Sequence, residues 1–229
     1  LLKNLTIQNL IQDELFLLLL QKCLITDHFL EKILTKIRYE ILFILNEHSR
    51  YILKEKLNFI ISLAEQCFLN EYVFSQTSEE TNFIKQLQNS VEKNRKINEL
   101  EIIILSSYVP LHSSYIITKK LLNYHSNNIL FNDLITMQIK EPLKEKKITN
   151  SIKSLGKVTN EISKKVMIQY EQHPYPRWRY IYKNLPSVSS NIIKDQIKPN
   201  EIEFDEKFIK PNVLIAGCGT GRHLFKAAD

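Results

Sequence analysis

The first glycine in the sequence is Gly156 and the first proline is Pro110, so the leading 109 residues contain neither breaker. A chain without glycine rarely reaches the left-handed backbone of tight hairpins, and one without proline has no fixed kink. Residues 1–109 therefore read as helices joined by polar turns. All four glycines (Gly156, Gly217, Gly219 and Gly221) fall in the last third of the chain. Alanine is scarce while Ile, Leu, Lys and Asn abound, which we read as coding-composition bias, so lysine counts carry little functional weight.

Apolar spacing locates the helices. Residues 7–23 read as one helix, with Ile7, Leu10, Ile11, Leu15, Leu18 and Leu19 on a broad face. Asp27 N-caps a second that runs to about Leu45. Ser49 caps a third, which buries Leu57, Ile60, Ile61, Leu63, Ala64 and Phe68. Thr77-Ser78-Glu79-Glu80 is a capping-box start for a fourth. Further helices are expected near 98–108, 112–124, 128–140 and 145–155, divided by Pro110, the Ser126-Asn127-Asn128 turn and Pro142. No solenoid period recurs, so residues 1–157 read as an irregular multi-helix domain. Residues 158–211 read as one more helix and a long connector rich in proline and aromatics, with a short helix near 192–196.

The formal net charge of +6 is uneven: residues 1–110 carry 12 basic and 14 acidic side chains, and residues 111–229 carry 19 and 11. A basic C-terminal half could attract phosphate or an acidic partner, but a solvated lysine-rich surface is the simpler account. Basic residues do not interleave with stacking aromatics, so the sequence gives no strong nucleic-acid signal. Cys23, Cys67 and Cys218 lie far apart without a CxxC pair, which indicates neither a disulfide framework nor a zinc site and suits a reducing cytoplasm. His28, His48, His112 and His125 have no metal-ligand spacing. The longest apolar run, Leu15 to Leu20, is far short of the roughly 20 residues that span a membrane. The chain opens on Leu1, and the expectation is that its true N-terminus lies upstream.

One stretch carries chemistry. Val213-Leu214-Ile215-Ala216 runs into Gly217-Cys218-Gly219-Thr220-Gly221, followed by Arg222-His223 and a helical-looking tail. That is the order strand, glycine turn, helix start, by which α/β proteins bring backbone close to a nucleotide-like ligand. Arg222 stands where a dinucleotide fingerprint needs glycine, and Arg222-His223 stands where a phosphate loop needs Lys and Ser/Thr. What remains, an apolar strand with G-C-G-T-G, resembles the first motif of class I S-adenosylmethionine-dependent methyltransferases. A second stretch, Gln169-Tyr170-Glu171-x-x-Pro174-Tyr175-Pro176-Arg177-Trp178, resembles a bacterial subfamily of these enzymes in which a tetratricopeptide-repeat region often precedes the catalytic domain. Met137-Gln138-Ile139-Lys140-Glu141-Pro142-Leu143 is similar to that subfamily's helical region.

The resemblance implies that residues 212–229 begin a Rossmann-like methyltransferase domain, so the expected fold class is mainly α with an α/β start. It implies S-adenosylmethionine as cofactor, with Ala216, Gly217, Cys218, Gly219, Thr220, Gly221 and His223 at its site. Ile215 departs from the acidic residue common at that position in the family, which leaves Arg222 or His223 to orient the methionine amino group. Tyr170, Tyr175, Arg177 and Trp178 admit two accounts: a lid over sulfonium and carboxylate, or a structural pin for the connector. Cys218 has no base beside it in sequence and is not read as a nucleophile. The acidic residue for the ribose is expected roughly 20 residues past the glycine turn, beyond Asp229, so this stretch alone is expected to bind cofactor poorly and turn nothing over. The methyl acceptor is open, with a protein or peptide presented by the helices as one candidate. The competing reading is a helical protein-interaction module carrying a non-functional methyltransferase remnant.

Overall fold

The computed structural model describes residues 2, 4–46, 50–153, 156, 158–172, 177–180, 188–204, 212–222 and 224–225. The chain divides into two compact units, Leu1–Arg177 and Trp178–Asp229. The described residues of the first form the helices α1 (Leu5–Gln12), α2 (Glu14–Lys22), α3 (His28–Asn46), α4 (Arg50–Lys54), α5 (Leu57–Leu69), α6 (Ser78–Lys93), α7 (Glu99–Ser106), α8 (Tyr115–Leu121), α9 (Ile129–Ile135), α10 (Glu141–Thr149) and α11 (Glu161–Gln172), joined by turns and loops. In the second unit α12 spans Ser189–Gln196. No strand occurs among the described residues, so the chain is mainly α.

The core of the helical unit is built around α5, in which every residue from Phe59 to Leu69 is buried. Its sequence is apolar on all sides, as a helix enclosed by neighbours requires. α2, α7 and α9 pack against it. Its polar residues serve those neighbours. Gln66 Nε2 donates to the carbonyl oxygens of Leu20 (2.8 Å) and Cys23 (2.7 Å), and Oε1 accepts the Ile25 N–H (3.0 Å). Those carbonyls are among the orphaned acceptors at the end of α2. The core stops at Ile139: no hydrophobic residue beyond it is buried among the described residues.

The expected helices are found, with different boundaries. The span 7–23 is two helices, because the Asp13 side chain accepts the Phe16 N–H (2.7 Å) and caps α2. The third helix is likewise two, α4 and α5. Glu55 and Lys56 form a turn between them, in which the Lys56 N–H donates to Leu53 O (3.1 Å). Ser49, the expected cap there, lies outside the described residues. The capping box holds: Glu80 N–H donates to Thr77 Oγ1 (3.1 Å), and Thr77 N–H donates to Glu80 Oε2 (2.7 Å).

Pro142 does not separate two helices as expected. It stands in the first turn of α10, which follows α9 through a π-helical turn, Thr136–Lys140. In an α-helix the N–H of residue 142 would serve the Gln138 carbonyl, and proline has none. The chain widens instead, with the Glu141 N–H reaching Thr136 O, five residues back. The Gln138 carbonyl lies 3.2 Å from His112 Nδ1. A carbonyl only accepts, so that ring nitrogen carries the proton.

The expected strand over Val213–Ala216 is also absent. A strand exists only when a neighbour completes its ladder, and the described residues provide none. Val213 and Leu214 are exposed, Leu214 by 92%.

Candidate functional site

The glycine stretch forms a turn with a left-handed backbone at each glycine: φ is 65° at Gly217, 52° at Gly219 and 81° at Gly221. A Cβ added at Gly217 or Gly219 would meet no atom within 4 Å, and one at Gly221 would meet only the Leu224 side chain at 3.7 Å. Glycine is required here by backbone conformation rather than by space, and the backbone lies open to approach. The Gly221 N–H donates to Cys218 O (2.9 Å), and the Leu224 N–H to Gly221 O (3.0 Å). Arg222, Leu224 and Phe225 are helical, so the turn leads into a helix start. Cys218 and Arg222 are exposed.

Trp178 joins this turn. Its indole N–H lies 3.2 Å from both the carbonyl oxygen and Oγ1 of Thr220. The Phe225 ring meets the indole edge-on with centroids 5.2 Å apart. The ring therefore packs against the turn itself.

The other expected site residues fall in the helical unit or outside the described residues. Arg177 belongs to the helical unit, where its guanidinium pairs with the Glu71 carboxylate and lies over the Phe68 ring at 4.5 Å. Tyr170 is on α11 and exposed by 68%. His223 lies outside the described residues, as does Tyr175.

The socket for Arg177 is the end of α5. The Cys67 carbonyl accepts the Tyr72 N–H (2.8 Å) and the Phe68 carbonyl accepts the Glu71 N–H (3.3 Å), a glycine-type helix stop. No glycine is available, and Glu71 (φ 57°) and Tyr72 (φ 58°) adopt the left-handed region themselves. Such a conformation costs a non-glycine residue about 1 kcal/mol.

Behind this stop is a buried polar network. The Tyr72 hydroxyl is within hydrogen-bond distance of Ser106 O (3.2 Å) and Gln138 Oε1 (3.3 Å). Gln138, fully buried in the π turn, also accepts the Leu111 N–H (3.2 Å) and donates to Ser106 O (3.1 Å). Burial pushes the Tyr72 phenol well up and the half-buried His112 imidazole down. A second cluster surrounds Arg38, 2% exposed on α3. Its guanidinium donates to the carbonyls of Ser107 (3.3 Å), Phe74 (3.3 Å) and Ser75 (2.8 Å) and lies 4.1 Å from the Tyr108 ring centroid. Tyr108 donates to Glu80 Oε1 (2.8 Å), so the capping box of α6 is tied into this cluster. Cys67 is buried beside Arg38, and burial pushes its thiol up to about 11.

Sequence reasoning found the glycine turn and missed the Arg177 socket and both buried clusters. Arg38 did carry a signal: it interrupts an apolar helical face formed by Leu34, Ile37, Ile41, Leu42 and Leu45, where an unpaired charge is costly. Glu71 carried none. Among the described residues no group of three or more His, Cys, Asp or Glu could hold a metal ion, and no helix is long and apolar enough to cross a membrane. Compared with models of known protein families, with curated proteins and with solved structures, the chain matches none.

Proposed function

We propose that this chain is the N-terminal part of an S-adenosylmethionine-dependent methyltransferase, with the glycine turn as the start of its cofactor site. The observation that carries the reading is the turn: three alternate glycines, each left-handed, open at the positions a Cβ would fill, and followed by a helix start. A ligand without phosphate needs close backbone approach and no lysine, which suits a turn followed by Arg222. Ala216, Gly217, Cys218, Gly219, Thr220 and Gly221 would line the amino-acid and ribose part of the cofactor. The bound cofactor would supply an electrophilic methyl group, displaced from sulfonium by a nucleophile of the acceptor, with positioning contributing much of the rate.

In this reading Trp178 shapes the turn through Thr220. Adenosylmethionine titrated into the protein expressed from its whole reading frame is the test. Micromolar binding that disappears in Gly219→Val, whose side chain cannot follow a φ of 52°, supports the proposal. Absence of binding by the unaltered protein at millimolar cofactor would overturn it.

The competing reading, a helical protein-interaction module, has a specific feature in its favour. Leu15, Leu18 and Leu19 on the outer side of α2 are exposed and border an open apolar hollow of about 480 Å³. Apolar patches of this kind mark partner surfaces. The two readings join if that surface presents a protein or peptide acceptor.

A further inference from the structure

The end of α5 uses an expensive piece of backbone. Glu71 and Tyr72 both hold the left-handed region at the helix stop, where glycine is the usual residue, and the hydrogen bonds of that stop come from backbone atoms alone. Glycine at position 71 would make the same stop without strain. A strained residue whose side chain is engaged points to use of that side chain. At Tyr72 the use is internal, since its hydroxyl meets Ser106 O and Gln138 Oε1 in the buried network. At Glu71 the engaged group is a carboxylate, and what it meets is the Arg177 guanidinium.

The rest of the socket suits that guanidinium. The Phe68 ring covers the planar group at 4.5 Å while Glu71 takes its Nε edge. Phe68 is held by its own neighbours, edge-on to Tyr72 (6.3 Å) and to His112 (6.2 Å), so the aromatic platform is built by the helical core and not by its occupant. The Arg177 and Glu71 side chains are each 18% exposed, so the filled socket reaches the surface. A carboxylate at the edge and an aromatic ring on the face select a flat cation, a geometry that lysine does not reproduce.

We propose that Phe68 and Glu71 form a binding site for an arginine side chain, which the chain's own Arg177 occupies. Site and occupant both belong to the unit Leu1–Arg177, and neither depends on the methyl-transfer reading. Arg177 thereby guards the site: an arginine of a partner peptide enters only as Arg177 leaves.

N-acetyl-arginine amide and N-acetyl-lysine amide serve as probes, with binding to the 229-residue chain followed by saturation-transfer NMR. In Arg177→Ala the site is open, and the arginine probe should bind about tenfold more tightly than to the wild type, whose own arginine competes. The lysine probe should bind that variant about tenfold more weakly than the arginine probe. Adding Glu71→Gly to Arg177→Ala should remove the preference and about tenfold of the arginine affinity. Equal affinity for the two probes in Arg177→Ala, or arginine binding that survives the loss of Glu71, would overturn the proposal. Trypsin provides a second reading that does not need Arg177→Ala to fold, because cleavage after Arg177 requires its side chain to leave the socket. That cleavage should be about tenfold faster in Glu71→Gly than in the wild type, and an unchanged rate would count equally against the site. Helical circular dichroism of Glu71→Gly should stay at the wild-type level, because glycine suits the left-handed backbone there.

Discussion

His112 shows how a single residue can be tied to a backbone irregularity. Pro142 leaves the Gln138 carbonyl without its α-helical donor, and the imidazole Nδ1–H stands 3.2 Å from it. Burial, the largest influence, holds the imidazole below its ordinary value of 6.5, Arg177 pushes the same way, and the Gln138 carbonyl and Glu71 push back. The sign follows from linkage. Above pH 6.5 the ring is neutral in both folded and unfolded chains, and the fold has its full stability. As pH falls below that value the unfolded chain takes up the proton first, so stability declines until the folded ring titrates too. Urea unfolding free energies between about pH 7.5 and 5.5 should therefore fall for the wild type and fall less for His112→Asn, whose amide can still donate. Identical pH slopes in the two proteins would remove His112 from this role. Cys67 makes a related point at the same scale. With its thiol pushed up to about 11, it is a core residue that fills space beside Arg38, and no redox or nucleophilic role follows from it.

At the scale of elements, caps carried the information that sequence reasoning could use. Thr77 and Asp27 mark helix starts through side chains that reach three residues ahead, and such short-range chemistry is written in adjacent letters. Some breaks were not legible: nothing local announces the turn at Glu55 and Lys56 that divides α4 from α5, or that a π turn lets Pro142 sit inside a helical run. The glycine turn was legible because left-handed backbone has a residue-type signature, whereas the Arg177 socket pairs residues 106 apart. Two substitutions compare these kinds of information. Thr77→Ala removes the acceptor for one amide at the start of α6 and should cost about 1 kcal/mol. Gln138→Leu leaves the Ser106 carbonyl, the Leu111 N–H and the Tyr72 hydroxyl without their shared partner, and should cost about 3 kcal/mol. Urea melts followed by circular dichroism measure both. A smaller loss at Gln138 than at Thr77 would mean that water replaces the buried amide.

For the whole molecule, the decisive contrast is between a unit with a core and one whose described residues show none. Leu1–Arg177 encloses α5 and α7 on all sides, while among the described residues of Trp178–Asp229 none is buried. Folding must offset about 1–2 kcal/mol of backbone entropy per residue, chiefly by removing apolar surface from water. The described residues of the second unit leave Val188, Val213, Leu214, Leu224 and Phe225 exposed, so they have little with which to do so. The same reasoning accounts for the missing strand, since an apolar run with no partner ladder and no covering layer gains nothing from extension. The two units should therefore unfold separately, and the sequence provides a probe for each. Circular dichroism at 222 nm follows the helices of the first unit, and the fluorescence of Trp178 follows the second. In urea the fluorescence transition should come first and be shallow, because its slope scales with the surface newly exposed, and the dichroism transition should be later and steep. Coincident curves would mean that the chain unfolds as one cooperative body. Adenosylmethionine added to the protein from its whole reading frame should move the fluorescence curve to higher urea and leave the dichroism curve in place if the glycine turn binds it, since a ligand stabilises only the unit that holds it.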